Sequence, residues 1–330
     1  MKKIKSVVIV LLSVVITGCS NVNDRIVSET EIQVIQDTDN SIKETETFVE
    51  TDNAVDYSEY FQGISGCTVL YDESSNTYSF YNKENCETEV SPLSTFKIVS
   101  TLAGLENNVL ENEETTMEYS GTKYPIDTWN SNLTLGEAFE NSCVWYFRQV
   151  VDTVGQKNIQ SMLAELQYGN RDISEWNGSN VNSLPELNGF WLESSLKISP
   201  LQQVNVLHNI FSGENNFSSE SIETLKHIMY ISEFENGSLY GKTGSGTNGE
   251  AWFIGFIEKN DNRIYFAVYL EDLQNKDIVS GNKAKEIAIS ILSNNSEIQD
   301  SITFDGYSGC WSYERKTHEQ ILAEGGSSLP

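Results

Sequence analysis

The stretch Ser91-Pro92-Leu93-Ser94-Thr95-Phe96-Lys97-Ile98 is the most informative part of this 330-residue chain. Pro92 suits the first turn of a helix, and the pattern predicts a helix from about Ser94 to Leu105. On such a helix Ser94 and Lys97 share one face, with their Cβ atoms about 5–6 Å apart. A serine hydroxyl becomes a useful nucleophile when a nearby basic group takes its proton. The stretch therefore predicts a nucleophilic serine with a lysine beside it.

Two more motifs follow in order along the chain. Ser142-Cys143-Val144 offers a second serine that can pass protons, and Lys242-Thr243-Gly244 offers an ammonium on a predicted strand. The Ser-x-x-Lys pattern alone is weak evidence, because it is expected to occur about this often by chance and is found again at Ser194 and at Ser280. The ordered set of three predicts a serine acyl-transfer site. The free N–H groups at the start of the Ser94 helix would help to stabilise an oxyanion there.

The overall charge of the chain disfavours one class of partner, nucleic acid, on electrostatic grounds. The chain has a formal net charge of −27, so its surface would repel a phosphate backbone, and nucleic acid is not expected as a partner. The three histidines (His208, His227 and His318) are isolated from one another and from the cysteines. No Cys/His spacing is typical of a metal site, so none is expected.

Residues 1–19 predict an exported, lipid-anchored protein. A basic start is followed by an apolar run from Val7 to Ile16, which has signal-peptide length and is too short to span a bilayer comfortably. Ile16-Thr17-Gly18-Cys19 resembles a bacterial lipobox, which implies lipidation of Cys19. Two or three acyl chains on one residue would hold the protein at the cell membrane, facing outside the cytoplasm. An ordinary cleaved signal with a chance cysteine is the alternative.

Composition divides the rest of the chain into three parts. Residues 20–59 are rich in Asp, Glu, Thr, Ser and Asn and poor in aromatics, which predicts an acidic disordered tether. Residues 60–292 carry the motifs and predict one folded domain. Residues 293–330 are interpreted as a C-terminal appendage without an assigned role.

The pattern of helices and strands predicts an α+β fold. Strand-like runs lie at both ends of the domain and helical patterns lie between them, which predicts an antiparallel sheet flanked by helices, with a helical region inserted between its strands. Ser219 is a candidate N-cap. The predicted strands are 68–71, 78–81, 237–242, 251–258 and 264–269, and the predicted helices are 94–105, 134–166 with a break near Gly155, 201–211, 219–230 and 284–292.

The cysteines leave one question open. Cys67 and Cys86 flank the first predicted hairpin, so a disulfide between them is sterically possible, although its existence cannot be derived from the sequence. Cys143, beside Ser142, is interpreted as a packing residue.

The motifs together resemble class D (oxacillinase-type) serine β-lactamases. The run from Ser91 to Ile98 is similar to their nucleophile segment, and Ser142-Cys143-Val144 is similar to their Ser-x-Val motif. Tyr168-Gly169-Asn170 resembles their Tyr-Gly-Asn motif, and residues 190–199 resemble the segment that carries their active-site tryptophan. Lys242-Thr243-Gly244 closes the set. The resemblance covers roughly residues 62–292 and implies a β-lactamase/transpeptidase-like fold.

The resemblance also implies a role for each matched residue, with β-lactam antibiotics as substrates. Ser94 would attack the lactam carbonyl and become the acyl-enzyme. Ser142 would pass a proton to the leaving nitrogen, and Lys242 would assist electrostatically. The residues expected at the oxyanion hole and the substrate-binding strand are Ser94, Ser245, Thr243 and Gly244.

Lys97 is the residue on which this mechanism depends. The resemblance implies that carbon dioxide carboxylates its amine (N6-carboxylysine), that the carbamate acts as general base, and that Trp191 holds it. A lysine at its ordinary pKa is protonated and cannot act as a base. Desolvation lowers that pKa and frees the amine, so an apolar pocket built from Phe96, Val144 and Trp191 is expected around it. No cofactor is expected beyond carbon dioxide or bicarbonate.

The extracellular penicillin-sensor domains of β-lactam signal transducers are a competing resemblance. Trp145-Tyr146-Phe147 and residues 239–246 are similar to sensors, which stay acylated because the carbamate is lost. Sensors usually have asparagine where this chain has Val144, and an apolar valine is expected to preserve the carbamate. Sensors also carry a multi-helix membrane part and a metalloprotease domain, whereas this chain is expected to have only a lipid anchor. The sequence therefore favours the enzyme.

Two further interpretations stay open, and one residue departs from the pattern. A cell-wall transpeptidase or carboxypeptidase would have Ser-x-Asn as its second motif, so Val144 disfavours it. A non-catalytic lipoprotein that kept the fold is the last alternative. Class D enzymes usually bind the substrate carboxylate through an arginine at the start of the last helix, which residues 280–285 lack. Lys283 could substitute, although an ammonium lacks the bidentate fork of arginine.

Overall fold

The computed structural model describes residues 32–36, 42–46, 51–213, 215–234, 237–260, 262–274 and 276–294. The expected signal peptide, Cys19 and residues 295–330 of the expected appendage lie outside these residues. None of the helices among them combines the length and apolar character needed to cross a membrane. Two short strands, β1 (Ile32–Gln36) and β2 (Ile42–Glu46), pair antiparallel within the segment that was expected to be a tether.

A seven-stranded sheet forms the centre of the domain. Its strands lie in the order β3-β5-β4-β11-β10-β9-β8, and neighbours are antiparallel except for the parallel pair β3 and β5. Strands from the beginning of the domain therefore meet strands from its end, as the sequence predicted. The strands are β3 (Thr51–Ala54), β4 (Gly66–Asp72), β5 (Thr77–Tyr81), β8 (Tyr230–Phe234), β9 (Gly237–Ser245), β10 (Glu250–Lys259) and β11 (Asn262–Glu271).

The folded domain begins earlier than the expected boundary at residue 60. Strand β3 adds to the sheet edge, where the Thr51 N–H donates to Asn76 O (3.3 Å) and the Val55 N–H to Phe80 O (2.8 Å). The first helix, α1 (Ser58–Phe61), follows directly. The polar composition of residues 51–59 predicted a disordered tether, but an edge strand is held by backbone hydrogen bonds, which do not depend on side-chain polarity. Residues 51–59 therefore belong to the domain.

A mostly helical region is inserted between β5 and β8. It also contains a short antiparallel pair, β6 (Thr116–Met117) and β7 (Leu133–Thr134). The helices are α2 (Lys83–Cys86), α3 (Lys97–Glu106), α4 (Leu135–Glu140), α5 (Val144–Val154), α6 (Gln156–Glu165), α7 (Pro200–Phe211) and α8 (Ser219–Met229), followed after the sheet by α9 (Gly281–Asn294). The inserted helices confirm the predicted α+β arrangement.

Three local predictions were wrong in detail. Residues 134–166 form three helices instead of two, because Ser142 takes a left-handed φ of 52° and ends α4 before α5 begins. The N-cap of α8 is Ser218, whose hydroxyl accepts from the Ser221 N–H at 3.1 Å, and not Ser219. The Ser94 helix begins as a 3-10 helix, Leu93–Phe96, which passes into α3 at Lys97.

The sheet separates two apolar cores. Along β10, Ile254 and Phe256 pack into the core shared with the inserted helices, whereas Phe253 and Ile257 pack into the core under α9. This alternation follows the two-residue period of a strand that is buried on both faces. Cys67 and Cys86 are buried free thiols in the first core, so the structure contains no bridge between them.

Candidate active site

The nucleophile segment brings a serine hydroxyl and a lysine amine into contact. Lys97 Nζ lies 2.8 Å from Ser94 Oγ, across the junction of the 3-10 helix and α3. Leu93, just before the serine, has a left-handed φ of 54°, which is uncommon for a branched apolar residue. Its N–H donates to Trp191 O at 3.0 Å. Backbone strain of this kind concentrates at functional sites, and here it lies directly before Ser94.

Lys97 is completely buried, with 0% of its surface exposed. Loss of hydration disfavours its charged form and holds its pKa well below the ordinary lysine value; the nearby Lys242 ammonium lowers it further, and Cys143 acts in the opposite direction. The amine also lies 5.5 Å from the centre of the Phe147 ring. The lysine is therefore buried beside an aromatic ring, whereas the predicted wall of Phe96, Val144 and Trp191 around it stays a prediction.

The second and third motifs meet each other directly. Lys242 Nζ donates a hydrogen bond to Ser142 Oγ. The lysine is 5% exposed and lies 5.4 Å from the centre of the Phe139 ring; burial lowers its pKa to about 8. Since Lys242 also influences Lys97, all three motifs form one electrostatically connected site.

Strand β9 carries the third motif along the side of the site. Among the described strands, β8 pairs with β9 only over Gly237–Tyr240, so the edge of residues 241–245 carries no strand on that side. A Cβ at Gly244 would lie 3.4 Å from Ser94 N, which places the strand directly against the nucleophile. Ser245 is exposed, and its Oγ accepts from the Gly281 N–H at 2.9 Å, which fixes the start of α9 to the end of β9.

Trp191 packs against the segment that carries Ser94 and Lys97. Its ring stacks on Phe96 with centroids 5.6 Å apart, and only 1% of the residue is exposed. Gly189 makes this possible, because a Cβ there would lie 2.4 Å from the Trp191 ring. The indole Nε1–H is buried without a hydrogen-bond partner among the described residues. An unpaired donor of this kind costs about 1–3 kcal/mol, so the pocket fits a group that brings an acceptor.

The Tyr168-Gly169-Asn170 motif holds the tryptophan segment in place. Gly169 has a φ of +47°, and a Cβ there would lie 1.8 Å from Lys197 O. The Asn170 N–H donates to Lys197 O, and the Asn170 side chain accepts from the Lys197 N–H, both at 3.0 Å. Its amide also donates to Ser195 O at 2.9 Å. The motif thus acts by fixing residues 195–197, which follow Trp191.

The expected contact of Lys283 with the substrate carboxylate stays a prediction. Lys283 Nζ lies 3.4 Å from Glu286 Oε2 on the same helix. Lys285, whose pKa is lowered by burial, lines a cleft of about 670 Å³ together with Lys242 and Thr243. That cleft is also lined by Glu113, Glu137 and Glu140. Neither Ser94 nor Ser142 lines it, so it is separate from the site around the two serines.

Other expected residues are found at or near the site, and two were missed. Val144 is half-buried against the core and begins α5 directly after Ser142 and Cys143. The rings of Phe139 and Phe147 face the two lysines and had no assigned role. The sequence offered one hint of their role: Phe139 lies three residues before the Ser142-Cys143-Val144 motif, and Phe147 lies three residues after it. Within the described part of the chain, no cluster of three metal-ligating side chains occurs.

Comparison with known proteins agrees with this geometry. Residues 66–293 match the family described as penicillin binding protein transpeptidase domain. The chain therefore belongs to the family of penicillin-binding and class D β-lactamase domains.

Its relatives fall into two groups. The chain is 35% identical over 243 residues to the regulatory protein BlaR1 of Bacillus licheniformis, which covers 72% of this chain and 38% of that protein. It is 35% identical over 250 residues to β-lactamase OXA-1 of Escherichia coli, covering 73% of this chain and 89% of the enzyme. The solved C-terminal domain of the Bacillus licheniformis BlaR penicillin receptor has a TM-score of 0.67 at 33% identity, covering 75% of this chain and 97% of that one. The chain spans 38–40% of the length of its first regulatory relatives.

Proposed function

We propose that this chain is a serine β-lactamase that opens the β-lactam amide through an acyl-enzyme on Ser94 and then hydrolyses that ester. The observation that carries the proposal is the state of Lys97. It is fully buried, its pKa is held well below the ordinary value by burial, and its amine touches Ser94 Oγ. An unprotonated amine can take a proton or react with carbon dioxide, whereas an ammonium can do neither.

Acylation follows from the contacts around Ser94. The Oγ–H proton leaves toward Lys97, Oγ forms a bond to the lactam carbonyl carbon, and the ring C–N bond breaks. Ser142 is hydrogen-bonded to Lys242, so a proton can pass from the Lys242 ammonium through the Ser142 hydroxyl to the leaving nitrogen. The oxyanion would accept hydrogen bonds from the backbone N–H groups of Ser94 and Ser245, the second of which lies at the end of β9.

We propose a carbamate on the Lys97 amine, and two features next to the nucleophile segment support it. The Trp191 indole N–H is a buried donor without a partner among the described residues, and the aromatic ring of Phe96 packs against the same indole. When bound, the carbamate supplies a general base for acylation and for the later attack of water. Val144 begins α5 as an apolar residue, and we propose that it protects this group from polar side chains that would promote its loss.

Substrate binding would use the open edge of β9. We propose that Thr243 and Ser245 take part of the contact with the substrate carboxylate. The support is their place on either side of Gly244, where a Cβ would lie 3.4 Å from Ser94 N. An ammonium from Lys283 would give weaker recognition of the carboxylate than an arginine fork.

Stable acylation without turnover is the second candidate function. Similarity favours it, because the identity to BlaR1 equals that to OXA-1 and the penicillin-receptor structure has a TM-score of 0.67. The apolar residue at position 144 and the unpaired Trp191 donor favour hydrolysis instead. A transpeptidase or carboxypeptidase is disfavoured by the same valine.

We also propose that the domain works outside the cytoplasm, held at the cell membrane by lipid on Cys19. The support is the basic start, the apolar run and the lipobox-like residues before Cys19.

Time-resolved mass spectrometry of the protein mixed with excess benzylpenicillin tests hydrolysis against stable acylation. We expect an adduct of one penicillin that disappears as the antibiotic is consumed, and no adduct in Ser94→Ala. A one-to-one adduct that persists after free penicillin is removed would contradict the β-lactamase and identify a receptor-like protein.

A further inference from the structure

A second polar contact joins the two walls of the site. Glu193 lies two residues after Trp191, and its Oε1 accepts the Thr247 N–H at 2.5 Å. The Thr247 hydroxyl is 2.8 Å from both carboxylate oxygens. Thr247 belongs to the turn between β9 and β10, two residues after Ser245. One carboxylate therefore connects the tryptophan segment with the end of the strand that lines the active site.

The turn is built around this carboxylate. A Cβ at Gly246 would lie 3.0 Å from Glu193 Oε1 and 2.8 Å from Glu250 Oε2, so a larger residue would displace the contact. The Gly246 N–H donates to Glu250 O at 2.8 Å and closes the turn. Burial and, after it, the neighbouring Glu193 charge raise the pKa of Glu250. Two carboxylates are thus held close together, an arrangement that costs free energy.

Glu193 itself carries backbone strain. Its φ of 48° lies in the left-handed region, and its carbonyl accepts from Ser179 Oγ at 3.1 Å. A non-glycine residue in this conformation costs on the order of 1–3 kcal/mol and persists where the surrounding contacts hold it. Strain and carboxylate crowding at one junction, beside a proposed oxyanion donor, indicate a functional constraint on the position of the turn.

We propose that Glu193 is a positioning residue for acyl transfer: by holding Thr247 it fixes the turn after Ser245 against the Trp191 segment, and so sets the direction of the Ser245 N–H. This inference rests on the proposed function of the site. A charge-assisted pair of hydrogen bonds is strong enough to order such a turn. Because an oxyanion donor must be accurately placed, a small movement of the turn is expected to affect the transition state more than substrate binding.

The test is the pre-steady-state acylation of the full chain by a chromogenic cephalosporin, with separate values for the acylation rate constant and the dissociation constant. We expect Glu193→Ala to lower the rate constant about 10- to 100-fold with little change in the dissociation constant. Glu193→Gln keeps a carbonyl oxygen that can accept one bond from Thr247, so it should recover much of the rate. Melting temperatures of all variants show that each is folded.

Glu175→Ala is the matched control. Glu175 Oε2 accepts from Ser194 Oγ at 2.6 Å, so this variant removes a neighbouring contact of the same segment without touching the turn. It should acylate like the wild type. Equal acylation by Glu193→Ala and wild type would overturn the inference, as would an equal loss in Glu175→Ala. A wild-type protein that is never acylated would instead contradict the proposed function and, with it, this inference.

Discussion

Two buried lysines share the active site, and their titration decides what each can do. Both have pKa values lowered by burial: that of Lys97 falls well below the ordinary range, and that of Lys242 falls to about 8. Lys242 therefore keeps most of its charge at neutral pH, and this charge lowers the pKa of Lys97 further. In the proposed mechanism the strand lysine acts as a cation and the helix lysine as an amine, because the pKa of the helix lysine is lowered by a neighbouring cation as well as by burial.

The pKa of Lys242 leads to an expected pH dependence. The ammonium dominates below pH about 8 and is lost above it, so the acylation rate constant should fall as pH rises through that value. Lys242→Arg should remove this decline, because arginine stays charged in proteins, but it should acylate more slowly at every pH, because a guanidinium does not release the proton that Ser142 passes on. The measurement is a stopped-flow acylation series from about pH 6 to about pH 10, with Lys283→Arg as control. The same decline in Lys242→Arg would show that another group titrates.

Val144 is expected to decide between turnover and stable acylation. A polar amide in Val144→Asn would promote loss of the carbamate, so deacylation should slow about 100-fold or more, the range of general-base catalysis, while acylation is retained. Val144→Ala, which stays apolar, should keep turning over. The mass of the protein adduct shows whether acylation is retained, and steady-state hydrolysis shows whether deacylation has slowed. Unchanged turnover in Val144→Asn would contradict the carbamate mechanism.

At the scale of elements, the site is a junction of three segments that are far apart in the chain. The 3-10 helix and α3 supply Ser94 and Lys97, the turn before α5 supplies Ser142, and β9 supplies Lys242. A fourth segment, which carries Trp191, is held by hydrogen bonds between Asn170 and Lys197. The proposed catalytic geometry therefore depends on loops that are fixed by hydrogen bonds to the backbone.

Gly169→Ala tests this dependence. The alanine Cβ would meet Lys197 O at 1.8 Å, at a positive φ as well, so we expect a loss of more than about 3 kcal/mol of unfolding free energy. Gly63→Ala is the control: φ there is +84° but nothing lies within 4 Å of the added carbon, so only backbone strain of about 1–3 kcal/mol remains. Urea unfolding compares the two, and equal losses would show that Gly169 is required only for its φ.

The sequence predicted the elements that carry motifs and missed the contacts that join them. Ser94 and Lys97 were found because both lie on one helix, where spacing fixes distance. The break at Ser142 was missed because a left-handed serine leaves no mark in a periodic pattern, and the role of Gly169 depends on Lys197, which is distant in sequence. Strand β3 was missed because composition does not report backbone pairing. Local signals predict elements, and long-range packing decides how they meet.

At the scale of the molecule, one sheet ties the two ends of the domain together. Strand β4 from the beginning pairs with β11 from the end, and β3 extends the sheet as far back as Thr51. The helices inserted between these strands pack on one face, and α9 packs on the other. A protein prepared for assays should therefore begin at or before residue 51, because a start at residue 60 would remove β3 and the buried Tyr57.

Turnover in the proposed mechanism depends on carbon dioxide bound to Lys97 as a carbamate. The most direct measurement is sustained hydrolysis of a chromogenic cephalosporin in carbon-dioxide-depleted buffer, before and after addition of bicarbonate, for the wild type and for Lys97→Ala. We expect slow turnover that bicarbonate restores in the wild type and no restoration in the variant. A single stoichiometric burst that bicarbonate leaves unchanged, ending in a stable Ser94 adduct, would contradict the claim.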